Sequence, residues 1–178
     1  MKPESLKALV KRAQHGDTDA FGELYDWLKQ DLYRFAFYLT SSPQLAEDAV
    51  SDCVLLAFQK IRQLKKPQSV HSWFCAILRN CCREKQTEKA RLQQQIDIDA
   101  LSLVLPQESD LALHASLHAA LQQLPQDERE LLLLSVLFGY NSRELAKMLD
   151  TKEGTVRARL SRTKAKLRET LGEGEDEA

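Results

Sequence analysis

Six glycines and five prolines in 178 residues leave few places for the chain to turn sharply. No stretch of useful length alternates apolar with polar residues, so a half-buried sheet is not expected. No apolar run is long enough to cross a bilayer and no leader precedes the first helical pattern, which points to the cytoplasm. The four cysteines, Cys53, Cys75, Cys81 and Cys82, lack zinc-ligand spacing, and a cytosolic setting argues against structural disulfides. Cys53 and Cys75 fall on apolar helix faces, while the adjacent Cys81 and Cys82 point in different directions. His114 and His118 stand one helical turn apart without a third ligand. There is no Gly-rich phosphate loop, no spaced metal cluster and no nucleophile with an evident His partner, so no enzyme activity, cofactor, metal or small-molecule substrate is expected. A basic excess is missing as well: 25 Lys and Arg against 26 Asp and Glu give a net charge of −1. Nucleic-acid binding therefore requires the bases to be clustered.

What remains is helix. The pattern predicts a first helix from about Glu4 to Gln14, ended by His15-Gly16. A second, capped by Asp17 or Thr18, runs from Asp19 to about Thr40 with Phe21, Leu24, Tyr25, Leu28, Leu32, Phe35 and Leu39 on its apolar side. A third starts at Ser41-Ser42-Pro43 and runs to about Leu64, and a fourth extends from Val70 to about Gln93. Beyond Leu92 the pattern dissolves into a polar, acidic stretch with scattered leucines, read as a linker. Two helices follow, LALHASLHAALQQLP and QDERELLLLSVLFG. The fold class is all-α: two small helical domains, 1–92 and 111–172, joined by a flexible linker at 93–110 and followed by an acidic tail at 173–178.

The bases do cluster. In GYNSRELAKMLDTKEGTVRARLSRTKAKLRE, Asn141 and Glu144 have capping-box spacing. Leu145, Ala146, Met148 and Leu149 give a short helix a buried side, Asp150 breaks it, and Thr151 is placed to cap a second. In that second helix Val156, Leu160, Thr163 and Leu167 share one face. Thr155, Ala158 and Arg162 fall opposite, flanked by Arg157 and Arg159. A capped helix, a tight turn and a longer basic amphipathic helix form the pattern of a DNA-binding helix-turn-helix. Small residues there permit close approach to base edges, and arginine can bind phosphate or read guanine. The competing reading is a solvated basic surface.

Two more helices carry surfaces of interest. On the third, a wheel of about 100° per residue puts Leu45, Ala46, Ala49, Val50, Cys53, Ala57 and Ile61 on the core side. Asp48, Ser51, Asp52, Leu55, Gln59 and Arg62 fall on the other. A leucine set in a polar face suits a partner surface with an apolar centre and charged rim, although one exposed leucine is also ordinary. The fourth helix begins apolar and aromatic, VHSWFCAIL, and continues with Arg79, Asn80 and Arg83. Trp73 and Phe74 read as core; the polar residues behind the Lys-rich loop suit single-stranded nucleic acid.

The series AFGELY, LYRFAF, AEDAVSD, SWFCAILRN, LPQDERELLLLS and GYNSRELAKMLDTKEGTVRARLSR resembles the bacterial RNA polymerase sigma factors of the sigma-70 family, in the extracytoplasmic-function group. It covers nearly the whole chain except the linker. The resemblance implies a factor that binds core RNA polymerase, through its largest and second-largest subunits, and directs promoter recognition, melting and initiation under a stress or envelope signal. An anti-sigma factor is a further candidate partner. By resemblance, Asp48, Ser51, Asp52, Leu55, Gln59 and Arg62 dock on the polymerase, although the family often carries Gln where Ser51 stands. Lys65, Lys66, Ser69, His71, Trp73, Arg79, Asn80 and Arg83 would bind and open the minus-ten element of promoter DNA. Lys152, Glu153, Thr155, Arg157, Ala158, Arg159 and Arg162 would read the minus-thirty-five element. The alternatives are a polymerase-independent helix-turn-helix regulator and a protein that sequesters another factor.

Overall fold

The structure, a computed structural model, describes residues 3–92 and 111–172; the expected linker at 93–110 and acidic tail at 173–178 lie outside the described residues. All regular elements among the described residues are helical. They fall into two compact units, one within residues 1–101 and one within 102–178.

The first unit holds four α-helices: α1 (Pro3–Gln14), α2 (Thr18–Thr40), α3 (Pro43–Lys60) and α4 (Val70–Leu92). Asp17 is the cap of α2, its carboxylate accepting from the Ala20 N–H at 2.9 Å. Gly16, at φ 96°, makes the corner that brings Asp17 there, a backbone region that favours glycine. Ser41 ends α2 in the left-handed conformation and Ser42 caps α3, with Pro43 in the first turn of the helix. The core stripe of α2 is Leu24, Leu28, Leu32, Phe35 and Leu39, each at most 1% exposed. The facing stripe of α3 is made of small residues, Ala46, Ala49, Cys53 and Ala57, all fully buried. Small side chains let helix axes approach closely, and α3 packs against both α2 and α4. Phe74, Cys75, Leu78 and Cys82 close the core from α4.

One expected boundary shifts. The third helix is α-helical only to Lys60 and tightens into a 3-10 turn over Ile61–Gln63. The cause lies 47 residues away or more: the Gln14 amide donates to the carbonyls of Ile61 (3.1 Å) and Leu64 (2.7 Å), which satisfies two groups at the helix end from α1. Leu64 then turns extended, and a second 3-10 turn, Pro67–Ser69, leads into α4.

The second unit holds α5 (Leu111–Gln122), α6 (Gln126–Leu137), α7 (Ser142–Met148) and α8 (Glu153–Gly172). Leu131, Leu132, Leu133 and Leu134 of α6 are all buried, so the helix is apolar on several sides; α7 and α8 pack against it, and α8 also packs against α5 and α7. Arg129, only 9% exposed, donates to the Gln122 side chain at 2.6 Å and to the Leu124 carbonyl at 3.2 Å, satisfying an acceptor near the end of α5. Burial lowers its pKa.

Candidate nucleic-acid and polymerase interfaces

The α7–α8 pair forms the expected helix-turn-helix, and its local chemistry explains its turn. The capping box is complete: Asn141 Oδ1 accepts from the N–H groups of Arg143 and Glu144, both at 3.0 Å, while Glu144 Oε2 accepts from the Asn141 N–H at 2.9 Å. At the far end the Leu149 N–H donates to Leu145 O, Asp150 takes φ 49°, and the Thr151 N–H reaches back to Ala146 O at 2.9 Å. This is the left-handed helix stop usually given to glycine. Thr151 thus serves the end of α7. The cap position of α8 falls one residue beyond the expected Thr151, at Lys152, whose carbonyl accepts the first helical bond, from the Val156 N–H.

Val156, Leu160 and Thr163 are buried and Leu167 half-buried, which fixes the rotation of α8. Thr163 also donates to Glu128 of α6 at 3.4 Å and to its own helix at Arg159 O. Lys152, Thr155, Arg157, Ala158, Arg159 and Arg162 are consequently exposed, with Glu153 half-buried among them. Glu153 is the organising carboxylate. It accepts from Arg157 Nη2 at 2.7 Å and lies 3.6 Å from Arg143 Nε, joining the two helices through one acid. Exposed pairs of this kind stabilise by about 0.3–0.5 kcal/mol, so their effect is on side-chain direction more than on stability.

Along α3 and the 3-10 turn that continues it, the wheel holds except at Leu45 and Asp52, both half-buried. Asp48, Ser51, Gln59 and Arg62 are exposed, and Leu55 is 61% exposed. Phe58, missed in the sequence, joins Leu55 one turn on, at 49% exposure, with its ring edge-on to Phe21 at 5.1 Å. The apolar centre of this face is therefore two side chains wide. Alternation of the two faces could have flagged Phe58, because it follows Leu55 by three residues. Asp52 is half-buried: Lys85 of α4 holds its Oδ2 at 2.8 Å, and that hydrogen bond raises the Lys85 pKa. No local pattern signals this pair, whose members stand 33 residues apart.

The basic loop and α4 divide differently. Lys65, Lys66, Asn80 and Arg83 are exposed; Ser69, His71, Trp73 and Arg79 are half-buried. Phe74 is core as read, and Trp73 lies edge-on to it at 5.5 Å without being fully buried. The structure adds Trp27 of α2, 37% exposed, whose ring centroid lies 5.6 Å from that of His71. Burial lowers the His71 pKa, opposed by the charge of Asp31, which favours the neutral imidazole.

All four cysteines are buried thiols. Burial raises the pKa of Cys53 far above the ordinary value and pushes Cys81 up to about 11, which disfavours the reactive thiolate. His118 packs beside Gln122. No group of three or more potential ligands gathers at one metal site among the described residues, and none of the described helices is long and apolar enough to cross a membrane.

Comparison with known proteins finds one region of the same family in each unit. Residues 24–92 match the pattern described as Sigma-70 region 2, and residues 114–167 match Sigma-70, region 4. The chain is 27% identical over 157 residues to the ECF RNA polymerase sigma factor SigM of Mycobacterium tuberculosis, covering 88% of this chain and 80% of the relative. Among solved structures, the sigma factor RpoE of Bartonella quintana, in complex with the anti-sigma factor NepR, is similar with a TM-score of 0.73 and 26% identity. That match covers 85% of this chain and 96% of the other. CnrH, solved with the cytosolic domain of CnrY, shares the fold at a TM-score of 0.68 and 22% identity, over 93% of this chain and 96% of its own. With both regions matched in order along one chain, this protein belongs to the sigma-70 family of RNA polymerase sigma factors, in the extracytoplasmic-function group.

Proposed function

We propose that the chain directs core RNA polymerase to promoters through three surfaces of its own. The Leu55–Phe58 centre on α3, rimmed by Asp48, Ser51, Asp52, Gln59 and Arg62, docks on the polymerase. Lys65, Lys66, Ser69, His71, Trp73, Arg79, Asn80 and Arg83 hold the minus-ten element once its strands part. The exposed face of α8, from Lys152 through Arg162, reads the minus-thirty-five element. The observation that carries the reading is the α7–α8 unit: capping box, left-handed stop at Asp150 and buried stripe together leave Thr155, Ala158 and the three arginines Arg157, Arg159 and Arg162 facing outward. A solvated basic helix requires none of that order.

Sigma-70 factors are initiation factors and not enzymes. Strand opening draws on tighter binding to single-stranded than to duplex DNA, shared with the polymerase. The cytoplasm, where polymerase works, is the corresponding compartment. The Bartonella quintana neighbour was solved with an anti-sigma factor, which supports a regulator of that class as a partner here. The test is run-off transcription with purified core enzyme on a promoter library. Transcripts that depend on this chain, and permanganate-reactive thymines lost when Arg79 and Arg83 are replaced by Ala, are expected. Failure to co-purify with core polymerase would overturn the assignment.

A further inference from the structure

Trp27 stands outside all three surfaces just named. It is on α2, off the stripe of Leu24, Leu28 and Leu32 that enters the core, and keeps 37% of its surface in solvent. One exposed aromatic is ordinary. This one is packed on a second ring, His71, at 5.6 Å between centroids and 39° between planes. His71 is the second residue of α4, directly after the 3-10 turn Pro67–Ser69, and that turn follows the exposed Lys65 and Lys66. An aromatic face held against a second ring, with exposed cations on the loop that leads into that ring's helix, has the two components of a single-strand binding site: stacking for a base and charge for its phosphates.

We propose that Trp27, backed by His71, is a stacking platform for one unpaired base of the promoter strand, extending the minus-ten surface from α4 onto α2. The proposal rests on the assignment of the Lys65–Arg83 segment to the minus-ten element. Trp is well suited to the place, since every base presents a π-face and stacking needs no particular hydrogen-bond pattern. The platform therefore contributes to holding the strand open and little to choosing its sequence. Trp27 is also the only residue of α2 given this role, and its neighbour Asp31 carries the wrong charge for a phosphate. The strand is accordingly expected to approach from the side of Lys65 and Lys66 and not along α2.

Reconstituted holoenzyme is the reagent, with two DNA probes: a fork junction whose minus-ten strand is unpaired, and a closed duplex carrying the same upstream element. Trp27→Ala is expected to weaken fork binding by roughly tenfold, in the range of losing one stacked base, with duplex binding and core-enzyme affinity unchanged. Trp27→Phe should restore most of the fork affinity, and 2-aminopurine at the stacked position should brighten in the Ala variant only. Wild-type fork binding by Trp27→Ala, while Arg79→Ala with Arg83→Ala loses it, would overturn the platform and leave the minus-ten assignment standing. Wild-type fork binding by both variants overturns the platform together with that assignment. Equal loss on fork and duplex, or loss of core-enzyme affinity, identifies a packing role and also overturns it.

Discussion

The two units place functional side chains at the surface by different physics. In the second unit, the turn before α8 is set locally, while the buried stripe of Val156, Leu160 and Thr163 sets the rotation of the helix. Asn141 and Glu144 cap each other three residues apart, Asp150 stops the helix it follows, and Glu153 reaches Arg157 one turn away. In the first unit, direction is tertiary. Lys85 reaches Asp52, Gln14 reaches Ile61 and Leu64, and Trp27 meets His71, each across tens of residues. A surface built from local rules survives changes elsewhere in its core, whereas one built from long-range pairs depends on how three helices pack. For the proposed promoter recognition the consequence is a division of labour: the helix proposed to read duplex DNA is set by its own turn and buried stripe, and the surfaces proposed for docking and melting are set jointly by α2, α3 and α4.

The largest effect should come from the tertiary surface. Asp52→Lys with Leu55→Glu puts a cation beside Lys85 and a carboxylate in the apolar centre formed with Phe58. Core polymerase binding is expected to be lost, with helix content retained because neither side chain is in the core. Pull-down against core enzyme, beside circular dichroism, checks it; a folded double mutant with normal affinity removes α3 as the docking helix.

The local surface should respond to its turn. Asp150 sits at φ 49°, where a non-glycine residue costs roughly 1–2 kcal/mol and Asp or Asn is among the better tolerated. Asp150→Val should destabilise by at least that much, because a branched Cβ fits this region worst, and should tilt α8 away from its register. Asp150→Gly should be close to neutral or mildly stabilising. Thermal melts and minus-thirty-five binding by holoenzyme measure both; a Val variant as stable as wild type would mean the stop does not fix the turn.

That division also governs what was legible in the sequence. Helix number, the α2 stripe, the capping box at Asn141, the exposed position of Leu55 and the outward face of α8 follow from periodicity and capping, rules that act within a few residues. The early end of α3 at Lys60 did not, because the amide that takes over the carbonyls belongs to Gln14. Thr151 was a sound cap by residue type, but the left-handed Asp150 moved the start of α8 to Glu153. The Lys85–Asp52 pair and the tilted Trp27–His71 ring contact depend on interhelical register, which one sequence does not encode in any local spacing.

Within α8, Arg157 and Arg162 are expected to behave differently. Arg157, nearer the helix start and steadied by Glu153 at 2.7 Å, should act as a base reader. Arg162 should anchor a phosphate. Arg157→Ala should cost about 1–3 kcal/mol and relax preference at one position of the upstream element. Arg162→Ala should weaken all sequences alike and reduce the salt slope by about one. Holoenzyme titrations on single-base variants at several salt concentrations separate the two; unchanged affinity and preference in both would return this face to plain solvation.

The smallest effect is a test of the same contrast by pH. Asp17 caps α2, and its pKa is lowered from the usual 3.8, first by the Ala20 N–H and then by the Arg12 guanidinium at 2.8 Å. A carboxyl whose pKa is lower folded than unfolded stabilises the fold above its unfolded value. That contribution fades as pH falls through the folded value. Asp17 is exposed enough for solvent and salt to screen much of the ion pair, so its backbone bond should dominate. Asp17→Asn keeps a capping side chain and removes the charge. The variant should therefore melt only slightly below wild type at pH 7, and the gap should close in the window below about pH 4 where the native carboxyl protonates. Melting followed by far-ultraviolet dichroism from pH 7 to pH 3 reads this out. A gap that stays constant across the window would show that the charge on Asp17 contributes nothing, and that a neutral cap with Gly16 holds the corner equally well.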